Sequence, residues 1–166
     1  MSVAPWWPTK IRQFAAHVGA RVGLDERAAL AAWLTPEQLR LFDAMHPADQ
    51  RHGLDVMEEL RASGETDPDL LVAGLFHDAA KGRATGLWHR VAWSLGERYG
   101  TWVWRTAGRL PGFGRALERL AGHADASADL ALAAGCSPRA AALIRHRAAP
   151  SDRRLVEALR RADEAH

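Results

Sequence analysis

Residues 67–82 read Asp67-Pro-Asp-Leu-Leu-Val-Ala-Gly-Leu-Phe-His-Asp-Ala-Ala-Lys-Gly82. Asp67 suits the N-cap of a helix, and the proline after it suits the first turn, where no backbone N–H is needed. The apolar run that follows predicts a helix reaching about Ala80, with a glycine-containing loop after it. This strongly apolar helix nevertheless carries a polar pair, His77-Asp78, near its end.

The rest of the chain shows the same helical periodicity, and the alternation typical of strands is scarce. Caps, prolines and glycines bound further predicted helices at 10–22, 25–34, 36–45, 48–62, 88–104, 115–121, 124–134, 138–147 and 152–165. Gly96 and Gly100 are expected to interrupt the segment 88–104. A chain of 166 residues that is 48% hydrophobic fits one compact all-α domain of eight to ten helices. Within it, we expect 1–44 to form an N-terminal helical extension and 45–166 a metal-binding core.

Composition excludes several classes of protein. Cys136 is the only cysteine, so neither an intramolecular disulfide framework nor a multi-cysteine zinc site can form. Lys10, Arg12 and Gln13 interrupt the N-terminus before any long apolar run, so no secretory signal is expected and a cytoplasmic location is the default. The 22 basic and 20 acidic residues are spread along the chain, which makes nucleic acid an unlikely partner.

Four metal-capable side chains lie where helical periodicity calls for apolar residues. Each is spaced by three, four, seven or eight residues from apolar positions of its own helix, and residues so spaced share one face. These four are His52, His77, Asp78 and Asp163. A buried carboxylate is normally paired or coordinates a metal. The pattern therefore predicts that two imidazoles and two carboxylates meet around a divalent cation, a donor set that suits iron, manganese, nickel, cobalt or zinc.

The order of these residues in a helical chain resembles a known signature. His52, then His77-Asp78, then Asp163 is similar to the H…HD…D pattern of the HD domain superfamily, whose members are all-helical metal-dependent phosphohydrolases. The resemblance covers about residue 45 to the C-terminus. It implies a phosphatase or phosphodiesterase that hydrolyses a nucleotide or other small phosphate ester with metal-activated water.

Two more histidines extend the resemblance to the binuclear members of that superfamily. His123 precedes a predicted helix and His146 ends another, as do the two histidines that hold a second metal there. The resemblance implies one or two divalent ions per chain, drawn from Mn, Fe, Mg, Ni, Co and Zn, with Asp78 as the bridge where two are bound. The first would be bound by His52, His77, Asp78 and Asp163, and the second by Asp78, His123 and His146. The Gly-Tyr-Pro motif of the cyclic-dinucleotide phosphodiesterases is absent, so cleavage of those substrates is not expected.

Residues after the His-Asp pair are the predicted contacts to a phosphorylated substrate. Lys81 is one of only two lysines, and His-Asp-x-x-Lys resembles the binuclear phosphodiesterases, in which that lysine lies near phosphate. The predicted catalytic residues are Asp78 and Lys81, and the predicted substrate contacts are Lys81, His89 and Arg90. Other arginines near the ligands in sequence are further candidates, namely Arg51, Arg83, Arg145 and Arg147.

Several alternatives stay open at this point. The same ligands occur in HD proteins that act as di-iron oxygenases, and a non-catalytic HD binding or signalling module is a third interpretation. The Trp- and Arg-rich segment 88–105 favours a plain apolar helix over a membrane-surface contact or a base-stacking surface. We expect Trp6-Trp7-Pro8 to pack on the domain or to mark a homodimer contact.

Overall fold

The computed structural model describes residues 21–82 and 85–166. These residues form ten α-helices and no strand, which confirms the all-α prediction. The helices are α1 (Leu24–Trp33), α2 (Pro36–Ala44), α3 (Pro47–Ala62), α4 (Pro68–Phe76), α5 (Leu87–Tyr99), α6 (Thr101–Ala107), α7 (Phe113–Ala121), α8 (His123–Ala133), α9 (Pro138–Ile144) and α10 (Arg153–Ala165). None of the helices in these ranges has the length and apolar character needed to cross a bilayer. The predicted helix 10–22 falls outside the described residues except for its last two positions, which are not helical.

The core is built around α4, the strongly apolar helix whose C-terminus carries the His77-Asp78 pair. α3 and α9 pack on it, α10 lies across both α3 and α4, and α8 packs on α9. Six residues of α4 are buried, so this helix is surrounded rather than amphipathic. Leu30, Leu34 and Phe42 join the same core, so the described part of the 1–44 extension packs on the domain.

Local capping chemistry sets the start of α4. Asp67 accepts hydrogen bonds from the backbone N–H groups of Asp69 and Leu70. Arg139, at the start of α9, binds the carboxylates of both Asp67 and Asp69 and also that of Asp152 before α10. One guanidinium thus fixes the N-terminal ends of α4, α9 and α10 relative to one another.

Several helix boundaries differ from the prediction: α7 begins at Phe113, two residues early, and α9 ends at Ile144 and not near Arg147, but the differences at α4 and α5 matter most. α4 ends at Phe76 and not near Ala80, because residues 77–81 form tight turns in which Ala79 N–H bonds to Phe76 O and Lys81 N–H to Asp78 O. Gly96 lies within α5 and does not interrupt it; the absence of a side chain there makes room for the indole of Trp104. The break comes at Gly100, whose φ is +105°.

α3 and α4 approach each other so closely that one contact involves backbone alone. A Cβ placed on Gly53 would lie 2.4 Å from the carbonyl oxygen of Leu75. Gly53 follows His52 in the chain, and Leu75 precedes His77 by two residues. This glycine contact therefore sets the distance between two of the predicted metal ligands.

Candidate metal centre

Three helices bring His52, His77 and Asp163 together. His52 lies in the first half of α3, His77 caps the C-terminus of α4, and Asp163 lies near the end of α10. The Asp163 Oδ1 atom is 2.9 Å from His52 Nε2 and 3.3 Å from His77 Nε2. One ligand atom from each residue lies within 4.8 Å of the others, so this group can hold a metal ion.

Asp78 is buried beside this group and presents its two oxygens to different histidines. Oδ2 is 3.6 Å from His77 Nε2 and 3.8 Å from His52 Nε2. Oδ1 instead faces His123, whose Nε2 is 3.5 Å away. The structure therefore places one carboxylate between the His52–His77 pair and a third histidine, as a bridging ligand would be placed.

Backbone carbonyls orient two of these imidazoles. The Nδ1 atom of His77 donates to Gly74 O at 2.9 Å, and the Nδ1 atom of His123 donates to Leu120 O at 2.6 Å. Since a carbonyl can only accept, Nδ1 carries a proton in both rings and Nε2 is left as the atom able to bind a cation. This arrangement is typical of metal-binding histidines, whose second nitrogen donates to a backbone or carboxylate oxygen.

Two buried atoms at the centre have no hydrogen-bond partner among the described residues. They are His77 Nε2 and Asp78 Oδ1. Buried polar atoms without a partner are rare, and each calls for a ligand such as water or an ion. An imidazole nitrogen and a carboxylate oxygen are both donors to borderline divalent metals, so the residues present fit a metal ion.

The electrostatics of the centre are those of two carboxylates among several cations. Burial alone would raise the pKa of Asp78, but the positive charges of His77, Lys81, His52 and His123 outweigh it and hold that pKa well below its usual range. The Asp163 pKa is lowered in the same way, against desolvation, by the hydrogen bond with His52 and by the nearby charge of His77. Both carboxylates are therefore ionised at neutral pH and ready to bind a cation.

Lys81 also belongs to the centre. Its Nζ donates to Asp78 Oδ2 at 2.5 Å, in an i,i+3 contact across the turn that follows α4. Ser127, buried on α8, accepts from Ala80 N–H and fixes the same turn. The structure thus pairs the ammonium of Lys81 with Asp78, while the predicted contact of Lys81 with a substrate phosphate stays a prediction.

Asp163 and His146 differ in detail from the sequence expectation. Asp163 shares a helix face with buried Leu159, yet 47% of its side chain is exposed, because this part of α10 lies at the edge of the core. His146 lies two residues beyond the end of α9 in the left-handed region, with φ +55°. Desolvation lowers the His146 pKa, and the charges of His77 and His123 lower it further against the opposite effect of Asp163. Among the described residues the metal-capable group consists of His52, His77 and Asp163 and does not include His146. His123 is the first residue of α8 and does not precede it.

His89 and Arg90 have structural partners. The guanidinium of Arg90 binds buried Asp49 through two hydrogen bonds of 2.6 and 2.8 Å, and its Nε donates to Thr85 O. This pairing neutralises a buried carboxylate and occupies the guanidinium nitrogens of Arg90, so the structure gives Arg90 a structural partner where a substrate contact was predicted. His89 accepts from Gly86 N–H at the start of α5, and its ring packs on Phe113 with 4.4 Å between centroids.

The other arginines chosen by proximity in sequence are paired as well. Arg51 binds Glu26 and Asp55, whereas Arg145 and Arg147 both bind Asp125. Arg83 lies outside the described residues.

Arg119 is the arginine that sequence reasoning missed. Its Cδ and one guanidinium nitrogen lie 3.8 and 3.9 Å from where a Cβ on Gly82 would be, next to Lys81. It forms no ion pair with any residue in 21–82 or 85–166. Arg119 is 37 positions away from Gly82 in the chain, so proximity in sequence could not reveal that the two residues lie side by side. Among the residues that the structure describes, this guanidinium is therefore an unpaired cation beside the turn that carries the predicted site.

The pKa of His77 leads to a testable pH dependence. Burial alone would lower it, but Asp78 and Asp163 outweigh burial and raise it to about 9. A raised pKa means that protonated His77 stabilises the metal-free fold fully below the unfolded pKa of about 6.5. That contribution is lost as the pH rises through about 9, so we expect the Tm of EDTA-treated protein to fall across this window.

Metal binding should reverse this trend. Because a metal replaces the proton on His77, binding near pH 7.5 should release about one proton from this residue, and apparent affinity should rise with pH up to about 9. Calorimetric titration with Mn²⁺ in buffers of different ionisation enthalpy measures the proton count. The His77→Gln variant is the control, and equal proton release from it would contradict this assignment.

Comparison of the chain with protein families, with curated proteins and with solved structures finds no match.

Proposed function

We propose that the chain is a metal-dependent phosphohydrolase of the HD type, acting on a nucleotide or another small phosphate ester. One observation carries the proposal. His77 and His123 are oriented by backbone carbonyls so that their Nε2 atoms face opposite oxygens of one buried aspartate. A lysine on that same aspartate supplies a cation for phosphate, which favours phosphate chemistry over an oxygenase that uses the same ligands.

The metal ligands follow from the geometry above. His52, His77 and Asp163 would hold the first ion, together with Asp78 Oδ2. Asp78 Oδ1 and His123 would hold a second ion, with His146 as its third protein ligand by resemblance. At such a site a divalent cation lowers the pKa of water and withdraws charge from phosphoryl oxygens.

The chain's own residues supply the rest of the chemistry. Asp78 stays ionised at neutral pH, so its carboxylate can accept a hydrogen bond from the attacking water and orient it towards phosphorus. Lys81 Nζ lies at the same carboxylate and can neutralise a phosphoryl oxygen as charge develops in the transition state. Arg119, beside Gly82, offers a planar fork that matches a second pair of phosphate oxygens.

Metal analysis combined with a substrate panel tests the proposal. We expect at least about one metal per purified chain, and phosphate release that stops with EDTA and returns with Mn²⁺ or Mg²⁺. The panel should contain phosphomonoesters, phosphodiesters and nucleotides. Iron-dependent consumption of dioxygen without phosphate release would instead identify a di-iron oxygenase. Absence of bound metal after titration would refute both enzymes and leave a non-catalytic module.

A further inference from the structure

An open apolar groove lies on the unit formed by α5, α6 and α7, which we call the tryptophan unit (residues 87–121). The groove has a volume of about 480 Å³. Its lining includes Trp88, Leu95, Trp102, Val103, Leu110 and Phe113. Trp88 is 69% exposed and Trp102 is 63% exposed, whereas residues of similar size in the core are almost fully buried. A contiguous exposed apolar surface of this kind marks an interaction site.

The groove offers little for polar recognition. Thr106 carries the one hydroxyl among its ten lining residues, and that hydroxyl donates to Trp102 O at 2.9 Å. The indole N–H of Trp102 donates to Tyr99 O at the same distance. A nucleobase or a polar peptide would therefore lose hydrogen bonds to water here and gain few partners in return, whereas hydrocarbon has no hydrogen bonds to lose.

Charge around the groove favours an anionic partner. Arg98 lies three residues beyond Leu95 on the same face of α5. Arg105 follows Trp102 by three residues on α6, and Arg109 lies two residues beyond the end of that helix. All three are exposed, and none forms an ion pair within the described ranges. Outside the tryptophan unit most arginines of the described residues have carboxylate partners, as do Arg27, Arg51, Arg139, Arg145, Arg154 and Arg160.

The composition of the tryptophan unit strengthens this contrast. Six of the chain's arginines lie in 87–121, and among the described residues only Arg90 of the six is paired with a carboxylate, that of Asp49. The same range holds only two acidic residues, Glu97 and Glu118, although the whole chain has a formal net charge of +2. A symmetric contact with a second copy would bring this patch against itself and oppose its arginines. Self-association through this face is therefore disfavoured by like charges.

We propose that the tryptophan unit docks on the surface of a bilayer rich in anionic phospholipid. Trp88, Trp102 and Leu110 enter the boundary between headgroups and acyl chains, where the amphipathic indole ring is favoured. Arg98, Arg105 and Arg109 bind the phosphates around them. Each basic residue near an anionic surface contributes about a fivefold factor in partitioning, and this factor falls with salt. This proposal concerns a surface outside the metal centre and does not depend on catalysis.

Vesicle flotation with the full chain tests the proposal. We compare vesicles of phosphatidylcholine alone with vesicles containing roughly a third phosphatidylglycerol, and expect the anionic vesicles to bind at least about tenfold more protein at low salt. Trp88→Ser combined with Trp102→Ser should lower binding by at least about tenfold. Arg98→Gln combined with Arg105→Gln and Arg109→Gln should lower it on the order of a hundredfold and remove the salt dependence.

Matched variants outside the unit provide the controls. Trp33→Ser removes an exposed tryptophan on α1, and Arg153→Gln removes an exposed arginine at the start of α10, so both should bind vesicles like the wild type. Circular dichroism confirms that each variant is folded. Equal binding to neutral vesicles, no binding to either, or loss of binding in the control variants would overturn the proposal. So would a dimer in sedimentation velocity that the double tryptophan variant abolishes, since a second copy would then occupy the groove.

Discussion

Replacing Asp78 by asparagine is expected to abolish phosphate release, with a loss of activity on the order of a thousandfold or more, because metal ions contribute several kcal/mol to transition-state stabilisation. The substitution keeps the shape of the side chain but removes the negative charge that lies between two groups of histidines. Asp78 Oδ2 faces His52 and His77, and Oδ1 faces His123, so one change affects both halves of the centre. Metal content should fall with activity.

The asparagine variant separates chemistry from folding better than alanine does. Asp78 is 1% exposed, and alanine would leave a cavity beside Lys81, whereas asparagine fills the same space. Phosphate release at saturating metal, metal content by mass spectrometry and Tm should be measured together. Retained activity with metal still bound would contradict the assignment of Asp78 as the bridging carboxylate.

Asp125→Asn is the matched control. Asp125 lies on α8, two residues after His123, but its carboxylate is half exposed and pairs with Arg145 and Arg147. Exposed pairs of this kind contribute little to stability. We therefore expect wild-type activity and metal content from this variant. A similar loss in both variants would point to a general loss of negative charge and not to a specific ligand.

Features that depend on neighbouring residues were predictable from the sequence. Thr35, Asp67 and Ser137 each precede a proline and each caps the helix that follows, because N-capping needs only the next few backbone N–H groups. The all-α class followed from the same periodicity. His52 and His77 were selected because they interrupt apolar faces, and the structure brings them into edge contact, with ring centroids 5.1 Å apart.

Features that depend on the packing of distant elements were not predictable in the same way. Arg90 lies next to a predicted phosphate site in sequence, yet it pairs with Asp49, which is 41 positions away on α3. Arg119 reaches Gly82 only because α7 lies beside the turn after α4. Periodicity assigned Asp163 to the inward face of α10, but it gives no information on where that helix leaves the core. A local sequence pattern identifies which face of a helix is buried, but it does not identify the element that packs on that face.

The second large effect is expected at Gly53, which no metal-binding pattern singles out. Glycine to alanine in an exposed helix interior stabilises by about 1 kcal/mol. At Gly53 the new methyl would lie 2.4 Å from Leu75 O and 3.2 Å from Leu75 C, and both are backbone atoms that cannot rotate away. α3 and α4 would have to separate, so we expect Gly53→Ala to destabilise the fold by about 1–3 kcal/mol or more. The Tm should fall by several degrees.

Gly53→Ala should also weaken metal binding by the folded protein, at temperatures below the Tm of the variant. Gly53 is adjacent to His52, and Leu75 is two residues from His77, so separating the helices moves one ligand away from the other. Because metal ligands must be held to within about half an ångström of their productive positions, we expect a loss of affinity of at least about tenfold. Titration of the folded variant with Mn²⁺ at low temperature measures this loss apart from the change in stability.

Gly74→Ala provides a control within the same helix pair. Its Cβ would lie 2.9 Å from Leu60 Cδ1, the end of a flexible side chain, and 3.4 Å from Val56 Cγ1. Leu60 can shift its rotamer, so the strain should be relieved without moving either helix, and the gain in helix propensity offsets part of the cost. Gly74→Ala should therefore retain metal affinity and lose less stability than Gly53→Ala. If Gly74→Ala and Gly53→Ala lost metal affinity equally, the Gly53–Leu75 contact would have no special role in setting the geometry of the centre.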